Sequence, residues 1–316
     1  MAPAGSPLRH EENAILTEAV ENCPACGAAS AKPLHCALTD RSFRVVDGQW
    51  DLLGCAQCGA AYLNPRLNEA TISNAYARYY THEKRQEKLT LRRPQAMLRN
   101  DYLNSEFGYR ISPWLPLGRF LLSGDRKAGA ARSIRHLSFA STAPRRPRVL
   151  DVGCGAGAFL RLIETAGWQA FGIDPDSGAL NLARAIGATV SEGTLSSYSH
   201  NEERFDAITL NHVIEHLHQP LEALRIARRL LKPGGTIWLA TPNLESLGHK
   251  RFGSDWVGLD PPRHLILFSP SSLTGLLERA GFTEIGAPQR VWAAKWHYAA
   301  SEAIRLGLDP YSESPL

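Results

Sequence analysis

The segment Asp151-Val-Gly-Cys-Gly-Ala-Gly157 constrains this chain more than any other. It follows an apolar run opened by Val149-Leu150 and leads into a helical stretch at about 157–167. Glycines at such a junction let the backbone turn tightly and lie close against a ligand. The unit then repeats. A strand at 170–173 precedes a helix near 177–186, and a buried strand at 205–210 precedes a helix at about 219–231. The Lys232-Pro-Gly-Gly235 turn leads into a strand at 236–240. A further helix at 271–280 stops at Gly281, and strands near 283–287 and 290–298 would complete a sheet. This alternation predicts an α/β fold, a parallel sheet with helices on both faces.

A glycine-rich turn alone does not distinguish one nucleotide cofactor from another. Three details favour S-adenosylmethionine (SAM). The spacing is Gly-x-Gly-x-Gly, an acid (Asp151) stands before it to meet a methionine amino group, and Asp174 ends the next strand. A carboxylate at that position accepts two ribose hydroxyls well. These residues, with Phe171-Gly-Ile-Asp-Pro-Asp176, the segment Phe205–Leu217 and Leu231-Lys-Pro-Gly-Gly-Thr236, resemble the class I SAM-dependent methyltransferases over about 146–290. The resemblance implies a Rossmann-like, seven-stranded domain. It implies that Asp151, Gly153, Gly155 and Gly157 cradle the amino-acid part of SAM and that Asp174 holds the ribose. Gly193, Thr194 and Leu195 fall at the adenine, and Asn211 near the reactive methyl. Cys154, Pro175 and His212 complete this cofactor-facing set, with Cys154 read as a spacer rather than a nucleophile.

Upstream, Cys23-Pro-Ala-Cys26-Gly27 and Cys55-Ala-Gln-Cys58-Gly59 form two matched C-x-x-C turns. Four thiolates suit tetrahedral zinc, and with every position filled by protein the ion is structural. Its binding contributes on the order of 10–16 kcal/mol of apparent folding free energy to a module too small for its own core. Cys36 and His35 are not expected as ligands. Ser42–Gly48, alternating and closed by Asp47-Gly48, is expected to form a hairpin. The ribbon, followed by Tyr62-Leu-Asn-Pro-Arg66 and the Tyr76…Tyr79-Tyr80 cluster, resembles a bacterial methyltransferase group associated with polysaccharide, sugar and natural-product biosynthesis.

The expected organisation is a flexible leader at 1–20, the zinc-ribbon module at 21–64, a helical segment at 65–145 and the methyltransferase domain at 146–316. No apolar run is long enough to cross a membrane and the leader lacks a signal-peptide core, so a cytoplasmic location is expected. Net charge is +4, which demands no polyanionic partner.

The acceptor is expected where open α/β sheets bind ligands, beyond the carboxyl ends of the strands. Two segments reach that edge, Asn211–His218 and Asp255–Leu265. Methyl transfer to a hydroxyl needs proximity and a base, and histidine suits the base. His216, read as starting the helix after Asn211, and His264 in Pro261-Pro-Arg-His264 are the candidates, with Glu215 orienting either. Arg263 is read as a group for an anionic acceptor or a partner of Asp260 or Asp255, and Trp256, Trp292 and Trp296 as an acceptor wall or core. The reading is O-methylation of a small molecule, sugar-linked acceptors included. The alternative is an RNA methyltransferase, suggested by the arginine-rich stretch 84–148, though interleaved acids and the low net charge argue against nucleic acid.

Overall fold

A computed structural model describes residues 16–77, 93–138, 145–198, 204–287 and 294–311. The N-terminal part comprises β1 (Thr17–Glu18), β2 (Ala31–Leu38), β3 (Trp50–Cys55), β4 (Ala61–Asn64) and β5 (Arg66–Leu67). Three helices follow: α1 (Arg93–Phe107), α2 (Gly118–Leu121) and α3 (Gly124–Ser133). The α/β part runs β6 (Arg148–Val152), α4 (Ala158–Glu164), β7 (Gln169–Asp174), α5 (Ser177–Ala185), β8 (Val190–Glu192), β9 (Phe205–Asn211), α6 (Pro220–Leu230) and β10 (Leu231–Ala240). It ends with α7 (Leu247–Phe252), β11 (Ile266–Leu267), α8 (Pro270–Arg279) and α9 (Ala294–Arg305).

The central sheet has five parallel strands in the order β10-β9-β6-β7-β8. Parallel strands are covered on both faces and so read as continuous apolar runs. Val149, Leu150, Ile173, Ile208 and Leu210 are accordingly buried, each contributing about 1.5–3 kcal/mol. Local signals start the helices: Asp176 caps α5 by accepting from Gly178 and Ala179 N–H, Pro220 opens α6, and Ser269 forms a capping box with Ser272 before α8. The chain winds outward from β6 to β8, then returns to β9 on the other side of β6. That reversal opens a crevice at the carboxyl ends of β6 and β9.

A second, antiparallel sheet runs β11-β4-β3-β2. Its edge strand comes from the α/β part, with Ile266 opposite Tyr62 and Leu267 opposite Ala61. Cys23, Cys55 and Tyr62 share one apolar cluster with Ile214, Leu224, Phe268 and Leu276. The cysteine module is therefore packed into the α/β part.

Several expectations are corrected. The hairpin arms are β2 and β3, whereas 42–48 is a loop. Its backbone is gathered by Asp40, whose carboxylate accepts from Phe43, Val45 and Val46 N–H. The end of the leader is ordered: β1 pairs with β5, Glu18 bridges Arg66 at 2.7 Å and Val20 is buried. Residues 1–15 lie outside the described set. Among the described residues the parallel sheet has five strands rather than seven, and no strand lies beyond β11. The stretch expected as a strand at 290–298 is helical from Ala294, because Ala300, Ala303 and Ile304 recur at helical spacing and are buried.

Candidate functional site

The glycine loop closes over the crevice end of β6. Gly153, Gly155 and Gly157 all have positive φ (68°, 51° and 80°), conformations that disfavour other residues. Space is equally short, since a Cβ on Gly153 would lie 2.5 Å from Val213. Asp174, at the end of β7, accepts from Gly155 N–H at 2.8 Å and Asp176 N–H at 2.9 Å. Each oxygen thus has one backbone partner and keeps capacity for another. Burial pushes its carboxyl up. Gly193 N–H donates to the Asp174 carbonyl at 3.0 Å, bringing the segment Gly193-Thr194-Leu195 beside Asp174 and Pro175. Asn211 ends β9, and His212 adopts a positive φ of 55°. The Cys154 thiol packs toward Gly172, where a Cβ would come within 2.5 Å of it, which fits a spacer.

Arg135, at the end of the helical segment, is the residue that the motifs did not reveal. Its guanidinium donates to Asp151 Oδ1 and to Thr209 Oγ1, and lies 3.7 Å from the Phe159 ring centre. Asp151 is fully buried and its Oδ2 has no hydrogen-bond partner. Burial pushes this carboxyl up, against the pull of the guanidinium. Asp151 is thus already engaged by a cation on one oxygen. Gly129, Arg132, Ser133, Arg135, Phe159 and Asn211 line a cleft of about 270 Å³ at this place.

The second cluster forms just beyond the carboxyl end of β9. Glu215 and His216 lie on a 3-10 turn, Ile214–His216, and α6 begins only at Pro220, so His216 precedes the helix rather than starting it. His264 comes from the loop before β11, and its ring centre is 4.7 Å from that of His216. His216 Nδ1 lies 3.0 Å from the Arg263 carbonyl and 2.9 Å from the Tyr76 hydroxyl. His264 Nδ1 lies 2.8 Å from the Gly258 carbonyl. Glu215 is fully buried, with Oε1 3.1 Å from His212 Nδ1. Burial works to raise its carboxyl but is outweighed by that hydrogen bond and by His216, so it sits at about 2. Burial, reinforced by His264, lowers His216 to about 4.

Arg263 does not face an acceptor. It is fully buried and paired with Asp40 at 2.6 Å and Asp260 at 2.8 Å, while Asp255 pairs with Arg41. Trp256 is buried core against Gly248 and Gly258; Trp296 is exposed beside Tyr311; Trp292, Tyr79 and Tyr80 lie outside the described residues.

In the cysteine module, the four sulfurs lie within 4.8 Å of one another, with Cys23–Cys58 at 3.7 Å and Cys26–Cys55 at 3.5 Å. Sulfurs bonded tetrahedrally to zinc at about 2.3 Å stand about 3.8 Å apart, so the donor set fits that ion. The two turns match: Gly27 N–H donates to the Cys23 carbonyl and Gly59 N–H to the Cys55 carbonyl, both glycines at positive φ.

A parallel sheet with a glycine-lined crevice at its winding reversal defines a nucleotide-cofactor-binding α/β protein. The model of the methyltransferase domain family matches residues 124–285, just over half of the 316-residue chain, and the chain belongs to that family. Among curated relatives, the ubiquinone biosynthesis O-methyltransferase of Alkalilimnicola ehrlichii is 34% identical over 103 residues, covering 30% of this chain and 42% of that protein. The protein of the same description from Haemophilus ducreyi is 33% identical over 107 residues, covering 30% and 45%. The match thus spans less than half the length of these relatives. Similar solved structures include a SAM-dependent methyltransferase from Thermotoga maritima (24% identity, TM-score 0.40, 48% of this chain and 71% of that one). Another, from Mesorhizobium loti, has 20% identity and a TM-score of 0.40 and covers 49% and 80%. No helix among the described residues is long and apolar enough to cross a membrane.

Proposed function

We propose that this chain transfers the methyl group of SAM to a hydroxyl of a small molecule. The observation that carries the reading is Asp174: a buried carboxylate beside the glycine loop, each oxygen held by one backbone N–H and able to accept once more. That arrangement suits the vicinal hydroxyls of a ribose. When bound, SAM supplies an electrophilic methyl group on a sulfonium. Around it Gly153, Gly155 and Gly157 let the backbone approach, with Cys154 as spacer, and Gly193, Thr194 and Leu195 flank the adenine beside Pro175. Arg135 and Asp151 offer opposite charges for the carboxylate and ammonium of an amino acid, and Asn211 and His212 border the reacting end.

On the acceptor side, His216 and His264 each have Nδ1 against a backbone carbonyl, which favours N–H there, the Tyr76 hydroxyl accepting at His216, and leaves a lone pair on Nε2. Either nitrogen suits a proton acceptor for the hydroxyl, with Glu215 countering the resulting charge. The similarity to ubiquinone biosynthesis O-methyltransferases supports oxygen as the methylated atom. A sugar, glycan or natural-product hydroxyl is the acceptor class read from the ribbon-bearing group. The four cysteines are read as a structural zinc site. Against RNA as acceptor, Arg135 is buried against Asp151, Arg146 donates to the Gly167 and Trp168 carbonyls, and Arg148 lies over Phe171 and Phe205.

The test is transfer of isotope-labelled methyl from SAM to a panel of hydroxyl-bearing sugars and phenols. Label should appear in at least one acceptor and fall sharply with His216→Ala or His264→Ala. Full turnover in both variants would remove the histidine base, and label in RNA alone would overturn the acceptor class.

A further inference from the structure

We infer that Glu215, His216 and His264 form a second metal site, a two-histidine, one-carboxylate set for a divalent transition ion, separate from the four cysteines. One ligand atom from each residue lies within 4.8 Å of the others. Three atoms bonded to one ion at about 2.0–2.2 Å stand about 3.3–3.8 Å apart, so a closure of at most about 1–1.5 Å brings these groups onto one ion.

Two independent observations orient these atoms toward a cation. The first is the pair of tautomers. A carbonyl 2.8 Å from His264 Nδ1 calls for a proton on that nitrogen, and the Arg263 carbonyl 3.0 Å from His216 Nδ1 favours one there, with the Tyr76 hydroxyl at 2.9 Å accepting. Both Nε2 atoms then carry lone pairs, in the arrangement by which protein carbonyls commonly fix metal-binding histidines. Asp260 does not change this, because its oxygen is 4.0 Å from His264 Nε2, beyond hydrogen-bond range. The second is Glu215 itself. It is fully buried, and its Oε2 has no hydrogen-bond partner. A buried carboxylate oxygen left without a donor is costly. A cation satisfies all three.

The chemistry of the set selects the ion. Two imidazoles and one carboxylate favour zinc, cobalt, nickel or iron(II) over magnesium or calcium, which prefer all-oxygen shells. Three protein ligands leave at least one coordination position for water or an acceptor oxygen. The surroundings are built to hold the geometry. The Arg263 pairs with Asp40 and Asp260 pin the loop that carries His264, and β11 is paired to β4. The role of the ion, though not its binding, rests on the methyl-transfer reading: with Nε2 of both histidines engaged, hydroxyl activation passes from imidazole to the ion.

The experiment uses the full chain with zinc on its cysteines, titrated with Co(II) and followed by metal analysis and visible absorption. One further equivalent is expected, without thiolate-to-cobalt charge-transfer absorption. Glu215→Gln and His264→Gln should each abolish it while circular dichroism and zinc content stay unchanged. A wild-type chain that takes up no further equivalent overturns the site. So does an equivalent bound with thiolate absorption, or one retained by both variants. S-adenosylhomocysteine binding, measured separately, reads the methyl-transfer proposal: its loss leaves the metal site standing, and its retention without the further ion sinks the metal site alone.

Discussion

The glycine crevice and the histidine cluster flank the same strand, β9, yet they are assembled in opposite ways. The crevice is built mainly from short consecutive segments: a strand, the turn Gly153–Gly157, and the next strand ending at Asp174. The cluster draws on residues far apart in the chain. Tyr76 reaches His216, Asp40 reaches Arg263 across more than two hundred residues, and β4 accepts β11. Local backbone geometry is written in consecutive residues and survives changes elsewhere. A cluster hung between two sheets depends on both, so the N-terminal module supports the histidine cluster as well as forming a folding unit.

That difference can be broken experimentally. The largest effect is expected from Cys55→Ser. On the structural-zinc reading proposed above, this removes much of the order of 10–16 kcal/mol that such sites contribute, and with it the module. Turnover should vanish, while S-adenosylhomocysteine affinity should weaken less than about tenfold. Metal analysis and calorimetry read the two halves, and equal loss of both would erase the distinction.

Next comes Asp174→Ala, in the crevice. Two hydrogen bonds to a charged group, at about 1.5–3 kcal/mol each, correspond to a loss of cofactor affinity of roughly a hundredfold or more. Melting temperature without cofactor should change little by comparison, and retained affinity would refute the ribose assignment.

Asp40→Asn should act the other way, on stability more than on cofactor binding. It leaves Arg263 with one carboxylate, and removing a partner from a buried pair costs about 3–5 kcal/mol. Urea unfolding would register the loss. Acid should report the same bridge. Burial works to raise the Asp260 carboxyl, but the Arg263 charge outweighs it and holds the group at about 2, below the usual carboxylate value of about 3.9. The stabilisation is therefore complete above about pH 4 and is lost as pH falls toward 2. Thermal melts from pH 7 to 3 should show this decline. Asp40→Asn should remove only the part added by Asp40, whose carboxyl burial works to raise but Arg263 also holds below its usual value. The smallest effect is expected from Tyr76→Phe, which deletes one hydroxyl beside His216. A loss of about 0.5–1.5 kcal/mol would lower kcat up to about tenfold with cofactor affinity unchanged.

The same contrast explains what could be read from the chain. Four of the five parallel strands, β6, β7, β9 and β10, and the helices between them were legible because parallel strands are apolar on both faces. β8, three partly to fully exposed residues at the sheet edge, carries no such run and was not expected. The two C-x-x-C turns carried the cysteine cluster through their matched spacing. Arg135 was hidden because a lone arginine in a basic stretch gives no sign that it will fold back over Phe159. Arg263 was read as a ligand-binding charge or as a partner of Asp260 or Asp255; the Asp260 pair is present, while Asp40, its second partner, lies in another module and gave no sign in the sequence. The 42–48 segment alternates like a strand, but the Asp40 carboxylate takes three of its neighbours' N–H groups, which a strand would give to a partner strand. The 290–298 stretch mixes aromatic and small residues, and burial of Ala300 and Ala303 decides for helix.

The most direct test of the whole account is calorimetric titration of the purified, zinc-loaded chain with S-adenosylhomocysteine, then with NADH. Micromolar binding of the first and none of the second is expected. Failure of S-adenosylhomocysteine to bind, or binding of the dinucleotide in its place, would contradict the assignment of the glycine crevice to SAM.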